Sequence, residues 1–220
     1  VSEAAGQYFA EEPAVGSRPA GFPLHLPDLS LQLTADRGVF AAGGVDPGTK
    51  LLLLESPWPS GSCLAPGANL VDLGCGYGPI ALALARRAPR STVWAVDVNK
   101  RARALCAANA AANDLTNVVV VAPDEVPGEL AVAGIWSNPP IRIGKPALHA
   151  LLLSWLARLD RSTDDAGAWL VVQRHLGADS LQAWLTDQGW PTTRLGSRRA
   201  FRLLEVRPGA GADVGDEHRP

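Results

Sequence analysis

The fold turns on Val71-Asp72-Leu73-Gly74-Cys75-Gly76-Tyr77-Gly78-Pro79, a short apolar run that breaks into three closely spaced glycines and a proline. The run reads as a buried strand, and the glycines behind it as a sharp turn into a helix. Glycine tolerates positive φ there and lets a ligand come close to the backbone. Pro79 suits the first turn of the helix, where its missing N–H would have no partner in any case. Such a turn can seat a small cofactor.

The spacing narrows the cofactor class. A dinucleotide fingerprint requires G-x-G-x-x-G, and counting from Gly74 the third glycine falls on Pro79. No G-x-x-x-x-G-K-[ST] phosphate loop occurs either. What stands here, an acidic residue followed by G-C-G-x-G, resembles the S-adenosylmethionine turn of class I methyltransferases. That resemblance turns Asp72, Gly74, Cys75 and Gly76 toward the amino-acid end of the cofactor.

Composition sets the bounds. The 220 residues suffice for one good core, and 47% hydrophobic content is globular. No apolar run approaches the roughly 18 residues that cross a bilayer. Val1 to Ala10 lacks a basic region followed by an apolar one, so the reading is a cytoplasmic protein without a secretory signal. Cys63, Cys75 and Cys106 form no C-x-x-C pair and have no histidine cluster near them, which points to reduced thiols and no metal site. A net charge of −2 gives no global basic field, so a nucleic-acid partner would have to be met by local basic clusters.

Outward from the glycine turn the pattern is regular. Asn69 to Leu73, Thr92 to Asp97, Val118 to Val121, Ala131 to Trp136 and Ala168 to Gln173 read as strands. The four valines read as a strand buried on both faces. Helices are expected at Ile80–Ala88, Arg101–Asn113, Pro146–Leu159 and Ser180–Gln188. Alternation of this kind implies parallel pairing. Trp190–Leu195 and Ala200–Val206 read as a closing hairpin turned by Gly196-Ser197-Arg198-Arg199. Upstream, residues 1–28 form a Pro-rich extended arm, Leu29 to Thr34 alternates as a strand that Leu24-His25-Leu26 can pair with, and Asp46-Pro47 caps a helix running to Glu55. The tail from Pro208 reads as disordered. The expected architecture is α/β: a doubly wound, Rossmann-like, seven-stranded sheet, mostly parallel, with an antiparallel C-terminal hairpin. The domain proper spans residues 29–207.

In such sheets ligands sit beyond the carboxyl ends of the strands, where strand order reverses. Polar groups fall there after three successive strands: Asp72 with the glycines, Asp97 with Asn99, and Asp124. An acid after the second strand can accept hydrogen bonds from both ribose hydroxyls, and a polar group after the third can reach an adenine amine. The fourth strand ends in Asn138-Pro139-Pro140. The exocyclic amine of a nucleobase, like an amide nitrogen, has its lone pair delocalised and is a poor nucleophile. The Asn138 side-chain oxygen and the Pro139 carbonyl can accept its two N–H bonds and turn the lone pair toward a methyl sulfonium. The two prolines stiffen the loop that holds them.

Gly38-Val39-Phe40, Asp46-x-Gly48-Thr49, the glycine turn, Asp97-x-Asn99 and Asn138-Pro139-Pro140-Ile141-Arg142-x-Gly144-Lys145 together resemble the methyltransferase small-domain family, over residues from about Leu24 to Val206. Within it the chain is similar to the ribosomal RNA guanine-N2 methyltransferases, the C-type small-subunit enzymes in particular. The resemblance implies S-adenosylmethionine held by Asp72, Gly74, Cys75, Gly76, Asp97, Val98, Asn99 and Asp124, with Thr49 covering it from the opposite side and Asn138 adjoining it. It implies catalysis by Asn138, Pro139 and Pro140 on a guanine amine, with ribosomal RNA or a ribosomal subunit as partner, a monomeric enzyme, and neither metal nor membrane. Ile141, Arg142, Lys145, Arg198 and Arg199 are the expected substrate contacts. Many Asn-Pro-Pro enzymes place an aromatic residue where this chain has Ile141, which offers an apolar wall without stacking. Two other readings stand beside this one: a glutamine amide of a protein as acceptor, and a module that binds cofactor or RNA without transfer.

Overall fold

The computed structural model describes residues 11, 15–58, 64–163, 165–198 and 200–209. Arg199, Cys63 and residues 210–220 of the expected tail lie outside these. The central sheet contains β3 (Asn69–Leu73), β4 (Thr92–Val96), β5 (Val118–Val121), β6 (Gly134–Ser137), β7 (Gly167–Gln173), β8 (Thr192–Arg198) and β9 (Phe201–Val206), in the order β5-β4-β3-β6-β7-β9-β8. The first five run parallel, and β9 then β8 add antiparallel. The reversal of strand order falls between β3 and β6. A separate antiparallel hairpin, β1 (Ala20–His25) and β2 (Ser30–Ala35), packs beside the sheet.

Helices α1 (Pro47–Glu55), α2 (Pro79–Arg87) and α3 (Lys100–Ala112) cover one face with the hairpin, while α4 (Lys145–Leu156) and α5 (Ala178–Asp187) cover the other. Every residue of α2 from Pro79 to Ala85 is buried, because the helix lies between the sheet and the hairpin and presents only small or aliphatic side chains. Each fully buried leucine there contributes about 1.5–3 kcal/mol. Gly78 starts that helix at φ 95°, and a Cβ on it would stand 2.6 Å from Cys106 Sγ.

The hairpin is anchored by two asparagines one turn apart, Asn109 on α3 and Asn113 at its C-terminal cap. Asn109 accepts from the Thr34 N–H and donates to the Thr34 carbonyl, and Asn113 does the same with Gln32, so two side-chain amides stand in for a neighbouring strand. Without them the edge of β2 would bury unpaired backbone groups.

Two expectations are corrected in detail. The four valines of β5 are half-buried, because β5 is the edge strand and only one side has a neighbour. Gly196 and Ser197 belong to β8, which continues to Arg198 through a bulge between Arg194 and Gly196. Glycine inside a strand marks such an irregularity as readily as it marks a turn.

Candidate active site

The parallel strands β3, β4 and β6 end on one side of the sheet, and over their carboxyl ends opens a cavity of about 440 Å³. Its walls come from the glycine turn, the end of β4, the loop after β6 and the start of α1.

The turn is built by backbone bonding across strands. Gly74 and Cys75 both donate N–H to the Val96 carbonyl, at 2.9 and 3.0 Å, which swings the chain sharply out of β3. Gly74 lies at φ 79°, and a Cβ there would meet nothing within 4 Å, so its backbone faces open space in the cavity wall. Asp97 lines the cavity; its carboxylate accepts from the Gly76 N–H and the Asn99 N–H, each at 2.9 Å. Burial pushes the Asp97 carboxyl above its ordinary value, and these two N–H bonds pull it partly back.

Asp72 occupies a different place from its sequence reading. It is fully buried behind the turn and outside the cavity lining, and its Oδ2 accepts from the Ala81 N–H in the first turn of α2 at 2.8 Å. Its Oδ1 has no hydrogen-bond partner. Burial first, with the Asp97 charge adding to it, pushes this carboxyl up to about 8, so near neutral pH it is mostly protonated. Cys75 is likewise buried, and the Gly76 N–H is taken by Asp97, so neither residue faces the cavity.

Asn99 is also interior. It caps α3 by accepting from the Ala102 N–H, and it donates to the Gly38 carbonyl, which ties the Gly38-Val39-Phe40 turn down beside the cavity. Val98 is 43% exposed and lines the wall. After β5 it is Pro123 that reaches the cavity, while Asp124 is exposed beyond it.

On the other side, Ser137 Oγ donates to the Leu73 carbonyl at 2.6 Å and fastens the end of β6 to the end of β3. Asn138, Pro139, Pro140, Ile141 and Arg142 follow in the cavity wall. The Asn138 amide nitrogen donates to Asp46 Oδ2 and Thr49 Oγ1, both at 3.0 Å. The Pro139 carbonyl accepts from the Ile141 N–H at 2.8 Å, which leaves one of its two lone pairs for a ligand. Thr49 is buried and does not line the cavity, and Lys145 is exposed at the start of α4 outside it. Arg198 pairs with Glu55 at the end of α1.

Sequence reasoning missed several wall residues. Asp46, expected as the cap of α1 and as part of the Asp46-x-Gly48-Thr49 motif, also lines the cavity; Phe40, 45% exposed, and the nearly buried Phe201 supply aromatic surface that Ile141 lacks. The available signal for Phe40 was a large aromatic residue directly behind a glycine turn. Phe201 comes from the far end of the chain, and nothing local marks it. Among the described residues no group of His, Cys, Asp and Glu could hold a metal ion, and no helix is long and apolar enough to cross a membrane.

Comparison with known proteins agrees with this geometry. The methyltransferase small domain matches residues 30–202. The uncharacterised protein YbxB of Bacillus subtilis is 36% identical over 178 residues, covering 79% of this chain and 84% of that one. The ribosomal RNA small subunit methyltransferase C of Ectopseudomonas mendocina is 34% identical over 201 residues, covering 84% of this chain and 54% of the relative. The enzyme of the same name from Pseudomonas putida is 38% identical over 125 residues, or 56% of this chain and 35% of its own length. The chain thus spans about half, or less, of these C-type relatives. Among solved structures, the T. thermophilus 16S rRNA N2 methyltransferase RsmC, in complex with AdoMet and guanosine, shares the fold with a TM-score of 0.73 at 22% identity, over 89% of this chain and 52% of that one. With its glycine turn, Asp97 and Asn138-Pro139-Pro140 gathered on one cavity, the chain belongs to the methyltransferase small-domain family.

Proposed function

We propose that this chain is an S-adenosylmethionine-dependent N-methyltransferase acting on the exocyclic N2 amine of a guanine in ribosomal RNA. The observation that carries this reading is the meeting of Asn138-Pro139 with the Gly74 and Asp97 strand ends in one cavity. The relatives named as ribosomal RNA methyltransferases support the choice of acceptor.

The residues present fit the cofactor that the family implies. Gly74 leaves open the space a side chain would fill, Asp97 presents a carboxylate to hydroxyl groups, and about 440 Å³ lies within the usual size of a small-molecule site. When bound, that cofactor supplies an electrophilic methyl group, and the transfer makes an N–C bond as an S–C bond breaks, with one proton lost from nitrogen to solvent.

The protein's share is orientation. Asn138 Oδ1 and the free lone pair of the Pro139 carbonyl accept the two amine N–H bonds and fix the nitrogen lone pair in line with the methyl group. Asn138 neither gains nor loses a proton. Phe40 and Ile141 supply apolar walls for the base, and Arg142 at the cavity, with exposed Lys145 nearby, meets RNA phosphates. Arg198, paired with Glu55, adds a further basic group for RNA, and the sequence adds Arg199 beside it. Gly74, Asp97 and Val98 contact the cofactor directly, while Asp72, Cys75, Gly76 and Asn99 shape the turn that presents them. Residues 29–207 form the catalytic unit, to which the arm 1–28 adds β1, and the enzyme works as a cytoplasmic monomer.

The test is incubation with methyl-labelled S-adenosylmethionine and unmodified ribosomal RNA. Label should enter the RNA and be released by RNase. Label that stays with protein after RNase would replace this reading with a protein amide acceptor, and cofactor binding without any transfer would leave a binding module.

A further inference from the structure

The Asp46-Pro47-Gly48-Thr49 segment starts α1, and its Thr49, expected to cover the cofactor, is buried outside the cavity lining. We infer that the segment is an orienting clamp for Asn138, and that Asp46 and Thr49 are positioning residues for the amine acceptor rather than cofactor contacts. The inference rests on the proposed acceptor chemistry.

The geometry is closed on the nitrogen side. Asn138 Nδ2 has two N–H bonds, and it donates to Asp46 Oδ2 and to Thr49 Oγ1. A carboxylate has only acceptors, so the nitrogen of the Asn138 amide, and not its oxygen, must face Asp46. That assignment leaves Oδ1 as the atom available to the cavity, and among the described residues no hydrogen bond reaches it. A flipped amide would offer a donor where an amine also has donors.

The segment's spacing serves this arrangement. Asp46 Oδ2 also accepts from the Gly48 N–H at 2.8 Å and the Thr49 N–H at 3.1 Å, so the helix start itself fixes the carboxylate. A Cβ on Gly48 would stand 2.6 Å from the Phe201 ring and 2.9 Å from Asp46 Oδ2, so a side chain there would displace either the β9 aromatic or the clamp. Thr49, buried at the first turn, supplies the second acceptor. A helix cap needs only the carboxylate. The cap, the residue without a side chain and the hydroxyl together match what holding an amide requires.

The test compares wild type with Thr49→Val and Thr49→Ser, and with Asp46→Ala as a second cut. The measurements are kcat and KM for ribosomal RNA, the S-adenosylmethionine Kd by calorimetry, thermal melting, and the Asn138 side-chain amide signals by NMR, identified by their loss in Asn138→Ala. Thr49→Val should lower kcat about 10- to 100-fold, leave the cofactor Kd within about twofold, and shift or broaden the Asn138 amide pair; Thr49→Ser should restore most of both. A raised cofactor Kd with intact Asn138 signals would overturn the inference in favour of a cofactor contact. Unchanged kcat in Thr49→Val, or a loss that tracks melting and is not restored by Thr49→Ser, would overturn it as well. If wild type methylates no RNA, the proposed acceptor fails, and the amide signals still decide whether the clamp exists.

Discussion

The two halves of the cavity are held by different means. On the glycine-turn side, Asp97 is fixed by N–H groups of Gly76 and Asn99, and Asp72 by the N–H of Ala81, all within neighbouring strand ends and helix starts. On the amide side, Asn138 is held by side chains 92 and 89 positions upstream, Asp46 and Thr49. The first half is a property of the β3-to-α2 turn and the end of β4. The second exists only once α1 has docked against the end of β6. The proposed cofactor half thus holds its carboxylates with backbone N–H groups, whereas placement of the proposed acceptor amine depends on side chains brought in by α1.

Substitutions that strike one half should leave the other working. The largest effect is expected at Asn138: Asn138→Ala should lower kcat about 10²- to 10³-fold, as loss of a preorganised partner of the reacting group does, with S-adenosylmethionine binding unchanged by calorimetry. Asp97→Ala should do the reverse. Its cofactor Kd should rise about 10- to 100-fold, in keeping with the loss of hydrogen bonds to a charged group worth about 1.5–3 kcal/mol, while kcat at saturating cofactor stays close to wild type in steady-state kinetics.

Asp72 separates framework from binding. Its folded-state value of about 8 lies far above the ordinary 3.8, so between the two the folded chain keeps a proton that the unfolded chain has released. Stability is then highest below the unfolded value and falls as pH rises to about 8, by at most about 1.4 kcal/mol per pH unit from this group. Asp72→Asn keeps an acceptor for the Ala81 N–H and should flatten that slope in melting temperature across the same window. The smallest effect is expected at Arg142. Arg142→Ala should weaken RNA binding a few-fold and reduce the slope of log K against log salt by about 1, without changing cofactor affinity.

How much of this was legible in the sequence follows the same division. The turn at Gly74–Gly78, the strand ends and the Asn-Pro-Pro loop are local patterns, and the parallel sheet with its closing hairpin followed from them. Burial was less legible. Asp72 and Asn99 carry polar side chains in the right segments, yet both spend them on helix starts, because capping and ligand binding ask for the same residue types at the same strand ends. The four valines of β5 looked doubly buried, but an edge position depends on sheet order and not on the strand's own composition. The tie from Asp46 to Asn138 was not legible at all, since Asp-Pro before an apolar run is fully explained as a helix start. Phe201 in the cavity wall depends likewise on β9 folding back next to β7.

In the proposed function the amide half of the cavity selects a nucleobase amine. The most direct measurement is nucleoside analysis of unmodified ribosomal RNA after incubation with methyl-labelled S-adenosylmethionine, run in parallel with wild type and Asn138→Ala. Label should appear in N2-methylguanosine for wild type and almost not at all for Asn138→Ala at equal cofactor occupancy. Label on a ring nitrogen, a ribose oxygen or a protein, or transfer by Asn138→Ala at the wild-type rate, would contradict that function.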